Sequence, residues 1–407
     1  MHTPKREMLV DRRGMLKSIG LAGVAAASGM LLPRIARAED NPAAQVADGG
    51  STIRITELAA TVAAGRAYVR IQTNHKIAGW GEIKGVEPNV AATLARSLYE
   101  LLDGENPTRI EHIWQKLYRS HRNMRGGPIM IHTISGIDMA LWDIAGKLWR
   151  EPVYRLLGGP CRERIRVYPT DQAIKVAPGG SFQFSADPAD VQALVDRVKE
   201  ARKKVGPKGS VMFDAHSCLP PATLIQFASA IEPGDLLFIE EPWVPGNIEV
   251  CKRIRAAVKV PLATGERDRT IWGVLPYLQE RVVDILQPDC GYTGGISQMK
   301  KIAALAEAWY VPLAPHNTQS YLGLSASLHV AASVPLFLIH EAYHDDALAQ
   351  IARKHWTTDR EGYASLPEGV GLCVDIDEQA LAKAAANPAA GKQWPLPKLP
   401  DGSVADY

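Results

Sequence analysis

Short apolar runs recur along the second half of the chain, and nearly every one ends in a polar or charged residue. From residue 165 onward the runs are RIRVYPT, AIKVAP, SVMFDAH, LLFIEEP, VPLATGE, VDILQPD, VPLAPHN and FLIHEA. Most runs from SVMFDAH onward are separated by segments of helix length. Repeated strand–helix units predict a parallel sheet, and eight such strands predict a barrel of the TIM type. The predicted fold class is therefore α/β, with the polar strand ends on the edge where such barrels keep their active sites.

One unit of this pattern is too short. Only Asp171 and Gln172 separate RVYPT from AIKV. Neighbouring parallel strands need a crossover of a dozen or more residues. Either the first barrel crossover is shortened or lost, or one of these two runs is not a barrel strand.

The first half of the chain has a different pattern. Two strand-like runs, ITELAATV and RAYVRIQT, follow residue 51, and helical stretches follow over 89–118. The segment TISGIDMALWDIAGKLW carries apolar residues at helical spacing, which predicts a helix with one apolar face. Asp138 and Asp143 fall off that stripe. They are predicted to be solvated or packing carboxylates rather than ligands.

The N-terminus reads as an export signal over residues 1–38, followed by a linker over 39–51. Arg12-Arg13 precedes a mild apolar run, and an Ala-Arg-Ala site precedes Glu39. The arginine pair favours the twin-arginine route and a periplasmic location over an ordinary secretory signal. Gly and Ala make the run a poor membrane span, so no stable membrane anchor is expected. Twin-arginine substrates are exported folded, so a metal could be loaded before export.

Charge and cysteine content disfavour a nucleic-acid-binding, zinc-binding or disulfide-rich protein. The 407-residue chain carries a net charge of +2, which gives no support for nucleic-acid binding. The cysteines form no C-x-x-C pair, and their number is odd: Cys161, Cys218, Cys251, Cys290 and Cys373. A zinc site or a disulfide framework is therefore not predicted, and the thiols are interpreted as structural.

Three carboxylates end three successive barrel runs at equal intervals. They are Asp214, Glu240 and Glu266, each 26 residues from the next. Carboxylates that converge at a barrel mouth repel one another unless a cation lies between them. Oxygen ligands without Cys or His suit Mg²⁺. We interpret them as metal ligands, and we expect strand alternation to turn Glu241 away from the same centre.

Two histidines stand out at the same edge. His216 follows Asp214 by two residues, which places both side chains on one face of a strand. His316 ends a later run, and Asp289 ends the run before it. A carboxylate on one ring nitrogen raises the basicity of the other, so His316 is the candidate general base. His340 and His344, near Glu341, are interpreted as polar filling.

These motifs, in this order, resemble the enolase superfamily, and within it the mandelate racemase subgroup and the D-galactonate dehydratase family. The resemblance covers essentially all of 52–407. The stretches that carry it are GWGE (79–82), RGGPIM (125–130), SGIDMALWDIAGK (135–147), LLGG (156–159), LFIEEP (237–242), ILQPD (285–289), GLCVDIDE (371–378) and DGSVADY (401–407).

The resemblance implies an α+β capping domain, made of residues 52–160 and the tail 366–407, over a modified TIM barrel at 161–365. It implies that Asp214, Glu240 and Glu266 bind Mg²⁺, and that His316, paired with Asp289, is the base. It assigns His216 as the acid that assists the leaving hydroxyl, and Glu341 as a hydrogen-bond partner of the substrate carboxylate or its enediolate. The implied substrate is an acid sugar, an aldonate or an aldarate, and the expected assembly is a homo-oligomer.

The sequence departs from the family pattern in ways that leave alternatives open. The K-x-K pattern of racemases is Lys175-Val176-Ala177 here, which disfavours racemisation and leaves Lys175 as a structural or substrate-contacting residue. The stretch Asn317-Thr318-Gln319 replaces a Pro/Gly-rich loop that faces the substrate. Three hypotheses follow: an acid-sugar dehydratase, another enolase-type lyase, epimerase or isomerase, and a catalytically weak sugar-acid-binding protein.

Overall fold

The computed structural model describes residues 51–178, 187–232, 234–343, 349–386, 398–399 and 401–404. The predicted signal and nearly all of the linker lie outside this part of the chain, as does His344, and their interpretations stay predictions. Within the described residues, no helix combines the length and apolar character needed to cross a bilayer.

The N-terminal part combines an antiparallel sheet with three main helices. The sheet has the order β1-β2-β3, and a two-residue turn joins its first two strands. The elements are β1 (Ile55–Ala63), β2 (Arg66–Thr73), β3 (Ala78–Ile83), α1 (Pro88–Ser97), α2 (Ile110–Ser120) and α3 (Pro128–Trp149), with 3₁₀ turns at Leu98–Leu101 and Arg122–Met124. The sheet and helices share one apolar core.

The remaining elements build the barrel and the tail. They are α4 (Val153–Leu156), β4 (Arg164–Tyr168), β5 (Ala173–Val176), α5 (Pro188–Val205), β6 (Ser210–Asp214), α6 (Pro221–Ala230), β7 (Phe238–Glu240), α7 (Ile248–Ala257), β8 (Leu262–Thr264), α8 (Thr270–Gln279), β9 (Ile285–Leu286), α9 (Gly295–Ala308), α10 (Tyr321–Ser333), β10 (His340–Glu341), β11 (Ala352–Lys354), β12 (Tyr363–Ser365), β13 (Val374–Ile376) and α11 (Glu378–Ala386). Helices alternate with strands from β5 to α9, as predicted.

The barrel strands run parallel in the predicted order. Strands β5 to β9 form one sheet, and bridges at Leu313 and Phe337 continue it. Strand β10 then pairs in parallel with β4. The inner layer takes one apolar residue from each of the eight strand positions: Tyr168, Ala173, Met212, Phe238, Ala263, Ile285, Ala314 and Ile339. This layer confirms the predicted barrel.

The first crossover is lost, as the sequence predicted. Residues 169–172 link β4 to β5 without a helix, and the backbones of Thr170 and Ala173 bond reciprocally across this turn. Four residues cannot return the chain to the start of a parallel neighbour. The free edge of β4 pairs instead with β12, an antiparallel strand just before the tail. Strand β12 therefore covers the edge that the missing unit would have left open.

Helix α3 differs from its prediction because it is buried almost all round. One side lies against β3 and another against α9 of the barrel. Asp138 accepts hydrogen bonds from the backbone and hydroxyl of Ser297, and Asp143 accepts from the backbones of Trp80 and Leu372. Both carboxylates are packing residues, which is one of the two predicted alternatives, because both bond backbone groups of neighbouring elements.

Strand β3 lies so close to α3 that only glycine fits at Gly81, where the two backbones meet. A Cβ on Gly81 would lie 1.8 Å from the carbonyl oxygen of Gly136. We expect Gly81→Ala to lower the free energy of unfolding by about 2 kcal/mol or more, because the strand must move off the helix. Urea unfolding checks this. The matched change Gly127→Ala, at ordinary φ and with its nearest atom at 3.2 Å, should cost less than about 1 kcal/mol. Equal losses would contradict the close-approach argument.

Candidate active site

Two of the three predicted metal-binding carboxylates are neighbours across paired strands. Asp214 ends β6 and pairs in register with Glu240, which ends β7. Glu266 follows β8 by two residues. All three side chains are buried at the carboxyl edge of the barrel. The parallel arrangement of the strands explains this placement, since successive strands bring their C-terminal ends to one edge.

Lys175 lies among these acids. Its ammonium is 3.2 Å from Asp214 Oδ2, 2.9 Å from Glu240 Oε1 and 2.9 Å from Glu341 Oε1. Burial alone would lower the pKa of Lys175, but the charges of Glu240 and Glu341 raise it well above its usual range. Lys175 therefore supplies one positive charge to a cluster that carries a larger negative charge.

The acid cluster fits a divalent cation. Burial and the neighbouring charge of Asp214 raise the pKa of Glu240 well above its usual range, although Lys175 opposes the shift. The second carboxylate oxygen of Glu240 is buried and has no hydrogen-bond partner among the described residues. A buried carboxylate oxygen without a donor is unfavourable unless a proton or a cation meets it. The ligand chemistry, oxygen throughout, suits Mg²⁺.

A second grouping of ligand atoms lies beside the first. Those of Asp214, His216 and Glu241 lie within 4.8 Å of one another, and they form the one such group among the described residues. Glu241 has φ of +44°, so it leaves the strand and does not follow the alternation that the sequence predicted. Arg267 Nε lies 2.5 Å from its Oε1. Burial and the charge of Glu266 raise the pKa of Glu241 to about 8. The choice of Glu240 over Glu241 as a ligand stays a prediction.

His316 and Asp289 form a buried pair. His316 Nδ1 lies 2.7 Å from Asp289 Oδ2, and a carboxylate can only accept, so Nδ1 carries the hydrogen. Gln319 and the backbone of Gly291 donate to the other oxygen of Asp289. The second ring nitrogen of His316 is thereby directed to Glu266 and Glu341, at 3.6 and 3.8 Å.

The charge around His316 favours a bound proton. Burial lowers its pKa, but the carboxylates of Glu266, Asp289 and Glu341 outweigh burial and raise the pKa to about 10. Glu266 is a predicted metal ligand, so a cation bound there would weaken its effect on the imidazole. The geometry suits a group that takes up a proton at Nε2.

His216 lies at the rim, and two successive left-handed residues turn the chain there. His216 and Ser217 have φ of +50° and +53°, a region that costs a non-glycine residue energy. The backbone N–H of His216 donates to Asp214, and its Nε2 lies 4.0 Å from Asp214 Oδ2. The Ser217 hydroxyl donates to the carbonyl of Trp243 and accepts from Arg267. These bonds hold the turn, and the imidazole side chain remains 45% exposed.

Glu341 lies between the carboxylate cluster around Lys175 and the His316–Asp289 pair. It ends β10, accepts from the backbone of Asn317 and contacts both Lys175 and His316. Its neighbour His340 is buried, bonds Ser327 and has a pKa that burial lowers to about 4. His340 is therefore structural, in line with its interpretation from sequence. Sequence reasoning missed the central position of Lys175, although its inward-facing position on a barrel strand was the available signal.

Comparisons with known proteins identify the family of this chain. Residues 46–158 match the N-terminal domain model of the mandelate racemase / muconate lactonizing enzyme family, and residues 164–380 match the enolase C-terminal domain-like model. A D-galactonate dehydratase from Ralstonia pickettii is 34% identical, with coverage of 84% of this chain and 96% of the relative. A D-galactonate dehydratase family member from Streptomyces bingchenggensis is 33% identical, with coverage of 84% and 95%.

Solved structures show the same architecture. A mandelate racemase/muconate lactonizing enzyme-like protein from Roseovarius superposes with a TM-score of 0.78 at 30% identity, covering 84% of this chain and 96% of that one. An enolase from Agrobacterium radiobacter, solved with sodium and L-malate, superposes with a TM-score of 0.77 at 29% identity, covering 86% and 99%. The chain therefore belongs to the mandelate racemase / muconate lactonizing enzyme family of the enolase superfamily, as an enzyme of the magnesium-dependent hydro-lyase class.

Proposed function

We propose that this enzyme removes the proton α to the carboxylate of an acid sugar and expels the β-hydroxyl as water, and that the resulting enol tautomerises to a 2-keto-3-deoxy sugar acid. The observation that carries the proposal is the buried His316–Asp289 pair, which faces the carboxylate cluster at the same barrel edge as His216. A carbon acid needs a base and a centre of positive charge together. The similarity to D-galactonate dehydratases supports the same reaction class.

His316 is the base in this proposal. Asp289 accepts the hydrogen on Nδ1 and stabilises the imidazolium that forms when Nε2 takes the proton from C2. Gln319 and Gly291 hold Asp289 in place, so the ring is oriented before the substrate arrives. The proton on Nε2 is then lost to solvent, which returns His316 to its basic form.

The carboxylate cluster handles the charge that develops on the substrate. Asp214, Glu240 and Glu266 would hold Mg²⁺, which when bound supplies Lewis-acid stabilisation to the substrate carboxylate. Lys175 stands against two of these acids and contributes a second positive charge. Glu341 contacts both Lys175 and His316, and in its protonated form it would donate a hydrogen bond to the substrate carboxylate as negative charge develops there.

His216 is the acid in this proposal. Its imidazole stands at the exposed rim, in the turn just after the strand that ends at Asp214, where a sugar hydroxyl can reach it. A hydroxide is a poor leaving group, and a proton delivered to it lowers the barrier to its departure. Racemisation would need a second base on the opposite face, and position 177, the second position of the K-x-K pattern, is alanine.

A substrate screen tests the proposed function. Purified protein with Mg²⁺ should form 2-keto-3-deoxy acids from a subset of aldonates and aldarates, and chelation by EDTA should stop this. The same screen in D₂O reports exchange at C2. A metal-loaded protein that turns over no acid sugar would contradict the proposal. Deuterium at C2 without elimination would instead support an epimerase or a racemase.

A further inference from the structure

Lys84 reaches the site from the end of β3 and has no acidic partner. Its ammonium donates to the carbonyl of Thr318, two residues after the base. The neighbouring Glu82 pairs with Arg66 instead, and no ion pair between described residues includes Lys84. Burial and Arg66 lower the pKa of Lys84 to about 8, whereas the charges of Glu82, Asp289 and Glu341 act in the opposite direction. Lys84 is thus a half-buried cation on the site side of the N-terminal part.

His132 lies next to Lys84 and presents an unused lone pair. It is 3% exposed, and its Nδ1 lies 2.8 Å from the Lys84 carbonyl oxygen. A carbonyl only accepts, so Nδ1 carries the hydrogen, and the neutral ring leaves Nε2 as an acceptor. That nitrogen is buried and has no partner among the residues described. The ring stacks on Tyr292 at 4.6 Å, and Tyr292 is 6.0 Å from His316. One aromatic ring therefore separates His132 from the base.

Arg269 supplies a second unpaired cation from the barrel side. It follows Glu266 by three residues, and its positive charge adds to burial in lowering the pKa of His132. Its Nε is buried without a partner, and no ion pair within the described ranges includes its guanidinium. Arg267, two residues earlier, is instead held by Glu241 and Ser217. The two arginines of this loop therefore have different surroundings.

Two cations without carboxylates and one acceptor without a donor fit one kind of ligand. Partly buried cations lose hydration and gain most from an anion that accepts their hydrogen bonds. The lone pair of His132 suits a sugar hydroxyl beside that anion. An acid sugar held by C1 at the carboxylate cluster ends in a neutral CH₂OH if it is an aldonate, and in a second carboxylate if it is an aldarate.

We infer that Lys84, His132 and Arg269 form a subsite for the distal carboxylate and adjoining hydroxyl of an aldarate, so that the substrate is a dicarboxylic sugar acid. This inference rests on the proposed dehydration, since that reaction fixes the other end of the sugar. The subsite would favour aldarates over aldonates, because the positive charges of Lys84 and Arg269 stay unpaired when an aldonate binds.

The test compares D-galactarate with D-galactonate, and D-glucarate with D-gluconate. The unaltered enzyme should show at least about 100-fold higher kcat/KM for the preferred aldarate than for its aldonate. Lys84→Met and Arg269→Met should each lower kcat/KM for the aldarate about 10- to 100-fold, mainly through KM, and change the aldonate value less than about threefold. Lys84→Arg and Arg269→Lys keep the charge and should retain part of the preference. The exposed pair Lys259→Met and Arg253→Met serves as the matched control.

Each outcome decides the question. Equal losses on both substrate classes would assign Lys84 and Arg269 a structural role and overturn the subsite. A preference for aldonates would also overturn it, and a preference for D-galactonate 6-phosphate would assign the subsite to a phosphate. If no sugar is dehydrated, calorimetry with D-galactarate and D-galactonate in Mg²⁺ separates the two proposals. Selective galactarate binding that Lys84→Met weakens would sustain the subsite without the reaction, and equal affinities would reject it.

Discussion

Replacing His316 by asparagine is expected to abolish both dehydration and C2 exchange, lowering kcat by about 10³- to 10⁴-fold. Both processes begin with removal of the C2 proton, and the buried His316–Asp289 pair is the group placed to remove it. Asparagine keeps a hydrogen-bonding amide near Asp289 but has no basic nitrogen at the position of Nε2. The measurement is keto-acid formation together with ¹H NMR of the C2 proton in D₂O, on the best substrate of the screen.

Two further variants sharpen this result. Asp289→Asn leaves the imidazole present but removes the charge that stabilises its protonated form, so kcat should fall less than in His316→Asn. His112→Asn makes the same chemical change on α2, where the side chain is 46% exposed, and should leave kcat unaltered. C2 exchange at the normal rate in His316→Asn would assign the base to another residue.

Replacing His216 by asparagine should separate the two steps. Dehydration is expected to fall by about 10²- to 10³-fold because the leaving hydroxyl loses its proton donor, while exchange at C2 continues through His316. Deuterium should then accumulate at C2 of the unreacted substrate. In the unaltered enzyme, by contrast, the substrate is converted to product before deuterium can accumulate in it. A time course of C2 deuterium against keto-acid formation measures the ratio of the two rates.

The ratio of C2 exchange to elimination distinguishes loss of the acid from loss of the metal. Loss of metal from Asp214, two residues away, would slow exchange and elimination together. Titration of Mg²⁺ into the variant by calorimetry checks that the site still loads. Equal loss of exchange and elimination in a loaded His216→Asn enzyme would contradict the assignment of His216 as the acid.

The strand ends were the part of the site that the sequence could predict. Asp214, Glu240, Glu266, Asp289 and His316 all follow apolar runs of a parallel barrel, and that topology alone gathers them at one edge. The Asp289–His316 contact followed from the same rule. Strand geometry is local and repetitive, so spacing along the chain is enough to specify it.

The features that escaped prediction depend on contacts between distant elements or on single backbone angles. Glu241 joins Asp214 and His216 because its φ is positive, and alternation cannot anticipate that. The choice between a solvated and a packing role for Asp138 and Asp143 stayed open, because it depends on backbone groups of other elements that bond them. The contacts of Lys84 with Thr318 and of His132 with Tyr292 depend on how the N-terminal part meets the barrel. No pattern within one segment carries such information.

The strand that replaces the missing crossover has a consequence for how the chain folds. Strand β4 finds its two partners in β10 and β12, about 170 and about 200 residues further along the chain. During synthesis the first barrel strand therefore emerges long before anything can pair with it. Contacts this distant in sequence are slow to form, and an unpaired strand edge is open to wrong partners in the meantime. The first barrel strand is therefore the last to be fully paired. In a ribosome-bound chain that lacks its final fifty residues, β12 is absent, and the edge of β4 that it covers should remain unpaired.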